Sequence, residues 1–131
     1  MQYVLDTFAV MAYLRREANS DIVRSIILET LAGECQSYMS AINLGELFYM
    51  QSRKSGAVKA ETALRFVRRA GIIIEPATNA RILRAARLKA TVSLSYADAF
   101  AATLSEELNA VLVTGDPEYK PLEPTLKIMW L

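Results

Sequence analysis

Histidine is absent from this 131-residue chain, and cysteine occurs once, at Cys35. The first absence excludes Ser-His-Asp hydrolysis, histidine-activated cysteines and histidine-ligated zinc. A lone cysteine cannot form an internal disulfide, which agrees with a reducing cytoplasm. Long apolar runs are missing as well, and stretches such as "FAVMAYL" are far too short to cross a bilayer. The N-terminus lacks the basic-then-apolar pattern of a secretory signal. Repeats, low-complexity tracts and linkers are absent too, so residues 1–131 read as one domain.

What remains is a chain with enough apolar residues, 53%, to build one substantial core. Net charge is only +1, which by itself predicts no nucleic-acid affinity. Its distribution says more, because ten of the fifteen basic residues lie between Arg53 and Lys89. Only Glu61 and Glu75 are acidic in that stretch, so a basic middle separates two acidic ends. Such a run is either a set of solvated helix faces or a surface for a phosphate-rich partner.

Periodicity predicts strands over "QYVLD", "QSYMS", "IIIE", "AVLVT" and, at an edge, "LKIMWL". Helices are predicted over "TFAVMAYLRR", "DIVRSIILETLA", "SAINLGELFYMQSR", "AVKAETALRFVRRA", "NARILRAARLKA" and "YADAFAATLSEEL". Ser40 suits an N-cap, Gly33 and Gly71 suit helix ends, and "GDPEY" reads as a turn. Strands alternating with helices imply an α/β fold with a parallel sheet covered on both faces. Ligands in such sheets gather beyond the carboxyl ends of strands, where strand order reverses.

Four carboxylates stand in positions that invite that use. Asp6 and Asp116 follow predicted strands, while Glu46 and Asp98 lie on apolar helix stretches. Each has an ordinary explanation taken alone. Asp6 could cap a helix, Glu46 could face water, Asp98 has capping-box spacing to Ser95, and Asp116 before Pro117 suits a turn. Taken together they could converge on one crevice, where close carboxylates repel unless a cation neutralises them. An all-oxygen set without histidine or thiolate suits Mg²⁺ or Mn²⁺. Such an ion can hold an attacking water, polarise a phosphoryl oxygen and stabilise the leaving oxygen, so phosphodiester hydrolysis is the natural task.

The motifs "VLDT", "SAINLGEL", "LSYADAFAA" and "VLVTGDPEY", in this order, resemble the PIN-domain family, specifically its VapC-type toxin ribonucleases. The resemblance implies a three-layer fold with about five parallel strands in the order 3-2-1-4-5. It makes Asp6, Glu46, Asp98 and Asp116 the acidic catalytic and metal-binding set for Mg²⁺ or Mn²⁺, with Asp6 and Asp98 as direct ligands. Thr7, Asn43 and Thr114 match supporting polar positions, and Glu118 loosely matches a further acid. Phe8 departs from the pattern, in which a small or polar residue often follows the Asp-Thr pair.

The implied activity is endonucleolytic cleavage of RNA leaving 5′-phosphate and 3′-hydroxyl ends. Arg65, Arg68, Arg69 and Arg84 are candidates to grip the RNA backbone. The family also implies a homodimer and a cognate VapB-like antitoxin that covers the site. Leu14, Ile26 and Ile27 could dock that partner, but alternating layers bury such stripes anyway, and core is the preferred reading. The rival function is a catalytically silent PIN-like module that binds RNA or protein. A phosphatase-type domain with a nucleophilic strand-end Asp ranks lower, since "LDTF" has no acid two residues on.

Overall fold

The computed structural model describes residues 1–131. Five strands, β1 (Gln2–Leu5), β2 (Gln36–Ser40), β3 (Ile73–Glu75), β4 (Val111–Thr114) and β5 (Ile128–Trp130), form one sheet. All neighbours pair in parallel, in the order β3-β2-β1-β4-β5 that the resemblance implied. Six helices connect them: α1 (Thr7–Leu14), α2 (Ser20–Leu31), α3 (Ala41–Ser55), α4 (Ala57–Arg69), α5 (Asn79–Thr91) and α6 (Tyr96–Glu107). None is long and apolar enough to cross a membrane.

Alternation along β1 explains why both sheet faces are covered. Tyr3 and Leu5 join Met39 and Val113 in a core with residues of α1 to α4. Val4 and Leu112 point the other way, into a core with Ala85, Leu94, Phe100 and Leu104 from the α5–α6 layer. Successive strand residues face opposite sides, so a strand buried on both must be apolar throughout, as "YVL" and "VLV" are. Ile26 and Ile27 are buried in the first core and Leu14 packs against it, so the stripe considered for a partner is interior.

Helix ends follow the expected chemistry. The Ser40 hydroxyl accepts a hydrogen bond from the Ile42 N–H at the start of α3. Gly71, at φ 75°, takes the left-handed conformation just past α4. Two local expectations change. The helix predicted through Arg16 ends at Leu14, and Arg16 itself adopts φ 53°. The "GDPEY" turn continues as a 3₁₀ helix over Pro117–Leu122, capped by Asp116, whose Oδ1 accepts from the Glu118 N–H at 2.9 Å.

One register detail positions the site. Leu5 pairs with Val113, so the next residues, Asp6 and Thr114, emerge together at the carboxyl edge. This is where the chain's path across the sheet reverses, β2 and β3 lying on one side of β1 and β4 and β5 on the other.

Candidate active site

Asp6 fills the capping role that its sequence position allows. It caps α1, with Oδ1 accepting the Ala9 N–H at 2.8 Å. Oδ2 accepts the Thr114 hydroxyl at 2.6 Å across the β1–β4 junction. The carboxyl is almost fully enclosed, and burial pushes its pKa up to about 7; these two donors and Tyr119 pull it back, while Asp116 raises it.

Asp98 sits in the first turn of α6. Its N–H donates to the Ser95 hydroxyl at 3.1 Å, the forward half of a capping box. In a complete box the third residue's carboxylate would reach back to the Ser95 N–H. Here Glu118 takes that N–H instead, at 3.3 Å, so the Asp98 carboxylate is not used in the cap. Burial is the main cause raising the Asp98 pKa to about 8, followed by its hydrogen bond with Glu118. The partner moves in the opposite sense, since the bond to Asp98 holds Glu118 below its ordinary value.

Carboxylate oxygens of Asp98, Asp116 and Glu118 all lie within 4.8 Å of one another. No lysine or arginine pairs with any of the three; the ion pairs elsewhere join Arg15 to Glu17, Arg81 to Glu75, and both Arg81 and Arg84 to Glu107. The three acids line a cleft of about 360 Å³ together with Thr7, Phe8 and Glu46. Three carboxylates at this separation, without a basic partner, form a donor set suited to a hard divalent cation.

The sequence expectation is thus partly rearranged. Asp98 and Asp116 come together as anticipated. Glu118, a loose match in sequence, joins them because the 3₁₀ helix turns it back towards α6. Glu46 lines the cleft wall without entering the close cluster, and Asp6 is not among the lining residues. A carboxylate has about four lone-pair sites, so Asp6 retains acceptor capacity beyond its present donors.

The supporting residues divide as well. Thr114 bonds an acid directly and also accepts the Asp116 N–H at 3.0 Å. Thr7 instead donates to the Asn43 carbonyl at 3.1 Å, and Asn43 Nδ2 donates to the Ala97 carbonyl at 3.2 Å. These two residues therefore clamp α1, α3 and α6 around the crevice rather than touching its carboxylates. Asn43 Oδ1 is buried without a partner. None of Arg65, Arg68, Arg69 and Arg84 lines the cleft; the basic residue there is Arg15.

Sequence reasoning missed Tyr119. Its phenol is fully buried, donates to Asp98 Oδ1 at 2.9 Å and lies beside Asp6. Burial, then the two carboxylates, raise its pKa well above that of a free tyrosine, so it stays a proton donor. The only signal was an aromatic residue in the "GDPEY" turn, and turn composition does not say which way a side chain points.

No curated protein matches the sequence closely enough to count as a relative. Solved structures share the fold. VapBC2 of Rickettsia felis, bound to a fragment of its promoter DNA, superposes with a TM-score of 0.77 at 21% identity, over 100% of this chain and 99% of that one. VapBC-1 of nontypeable Haemophilus influenzae gives 0.71 at 20% identity, covering 99% and 98%. VapC20 of Mycobacterium tuberculosis, a toxin that cleaves the sarcin–ricin loop, gives 0.72 at 15% identity, covering 91% and 93%. The matching sequence family is the PIN domain, over residues 3–122, a span that contains every carboxylate described above. This chain belongs to the PIN-domain family.

Proposed function

We propose that this protein is a VapC-like endoribonuclease toxin that hydrolyses RNA phosphodiester bonds with Mg²⁺ or Mn²⁺ and is restrained by a VapB-like antitoxin. The observation that carries the reading is the cluster of Asp98, Asp116 and Glu118 within 4.8 Å, none of them in an ion pair with a lysine or arginine. A divalent ion held there would orient water for attack and offset the charge that grows on the phosphoryl group.

The chain's own residues divide the remaining work. Asp98, Asp116 and Glu118 would hold the ion, with Asp6 as a further acid nearby. Glu46, which lines the same cleft, would accept the proton of the attacking water. Tyr119 and Thr114 orient the buried carboxylates, leaving fewer of their oxygens free to turn. VapBC complexes among the fold relatives support an antitoxin partner and the restraint it would exert. The arginines of α4 remain candidates for distant backbone contacts, as part of a homodimer or alone.

The direct test is incubation with unstructured RNA in Mn²⁺ or Mg²⁺, with EDTA as control. Metal-dependent cleavage leaving 5′-phosphate ends is expected. No cleavage of any RNA with either ion would leave a silent binding module. Tyr119→Phe removes one hydroxyl that orients Asp98 and keeps the ring. It is expected to weaken Mn²⁺ affinity about 10- to 100-fold, the usual cost of losing a group that orients a ligand. Titration calorimetry reads this directly, and unchanged affinity would dismiss the orienting role.

A further inference from the structure

Phe8 is the only aromatic residue lining the acidic cleft. It keeps 40% of its surface exposed, although Asp6 and Thr7 just before it are buried. Its position is held on both sides: Thr7 is bonded to the Asn43 carbonyl and the Ala9 N–H to Asp6. One side of the ring rests on Gly115. A Cβ at that position would lie 2.7 Å from the ring Cζ and 3.0 Å from Cδ1, closer than side chains approach. The bare backbone between Thr114 and Asp116 therefore seats the ring immediately beside an acid of the cluster.

Resting on the cleavage reading above, we infer that Phe8 is a stacking platform for an unpaired nucleobase flanking the scissile phosphate, and that it biases the enzyme towards single-stranded RNA. The phosphate must sit at the carboxylate cluster for reaction, and the sugar beside it carries a base towards a ring that rests on Gly115, the residue before Asp116. A base in a duplex already has both faces stacked and cannot offer one to Phe8 without leaving the helix. Met11, Ala12 and Met50 add apolar lining to the same cleft. Aromatic stacking accepts every base, so this contact selects strandedness rather than sequence.

The test uses binding as well as turnover. Otherwise native protein with Mg²⁺ is titrated against a short single-stranded RNA with hydrolysis-resistant phosphorothioate linkages and a 2-aminopurine base, whose fluorescence falls on stacking. Adding Phe8→Ala or Phe8→Leu is expected to weaken binding about 5- to 150-fold and abolish the quenching, the range of one base–aromatic stack. Phe8→Tyr should retain both. Phe8→Leu separates stacking from simple apolar contact, and thermal melts of each variant establish that it folds. If Leu binds as well as Phe, the contact is not a stack and the inference fails. If Ala binds unchanged while the otherwise native enzyme cleaves RNA, only this inference falls, and the exposed ring belongs to a protein partner. If the parent protein neither binds nor cleaves RNA, the stacking and cleavage readings fall together.

Discussion

Asp98→Asn is expected to lower RNA cleavage by roughly 10²- to 10⁴-fold, the scale of removing a group that acts on the proton or charge of the reaction, while making the metal-free protein more stable. The two effects share one cause. Asp98 is buried beside Asp116 and Glu118, so its ionisation is opposed by enclosure and by like charge. Asparagine resembles the protonated acid. Its Oδ1 can accept from Tyr119 as the carboxylate does, and its amide can donate to Glu118 in place of the acid's proton. It removes the charge on which cation binding depends. At saturation near one hundred times Kd, Mg²⁺ or Mn²⁺ should raise the native melting temperature by roughly 10 °C. The variant should shift little. Thermal melts with and without metal check this, and equal shifts in both proteins would remove Asp98 from the cation site.

The second large effect is an inverted dependence of stability on pH. Asp6 and Asp98 both have folded-state pKa values above those of a free carboxyl, at about 7 and about 8. Below about pH 4 both remain protonated whether the chain is folded or not, and they contribute no pH dependence. Between about pH 4 and about pH 8 the folded chain retains protons that the unfolded chain has released, so stability falls as pH rises. For Asp6, almost fully enclosed, the loss approaches 4 kcal/mol as an upper bound. A divalent cation competes with these protons, so its affinity should rise across the same window. Urea denaturation at several pH values in EDTA, repeated with saturating Mg²⁺, measures both trends. The native protein should lose stability relative to Asp98→Asn as pH increases, and added Mg²⁺ should recover most of the loss near pH 8. A flat difference would mean that Asp98 ionises normally in the folded chain.

These expectations come from residues of unequal legibility. The Asp6 position was readable because an acid directly after an apolar strand and before a helix has few roles; the structure gives it the capping role, with Asp116 of the cluster nearby. Ser95 and Asp98 were also readable as a capping pair, but only half the box forms. The missing half is supplied by Glu118, twenty-three residues from Ser95, and no local spacing predicts that substitution. Tyr119 was hidden for the same reason, since its aim depends on a 3₁₀ helix where a simple turn was expected. Two residues of the basic middle have acidic partners that local spacing did not announce: Arg81 pairs with Glu75 and Glu107, and Arg84 with Glu107.

By itself the sequence determined the alternation of strands and helices, the burial of the sheet on two faces and a set of acids near strand ends. These follow from periodicity, β-branched runs and caps, which act over a few residues and are written in the local pattern. Only the tertiary structure decided which carboxylates share a cavity. Packing of the 3₁₀ helix against α6 brings Glu118 to Asp98 and inserts Tyr119 behind them, while the β1–β4 register delivers Thr114 to Asp6. Such partners are chosen by the meeting of distant surfaces, where a few ångströms separate a buried acid cluster from an ordinary exposed charge.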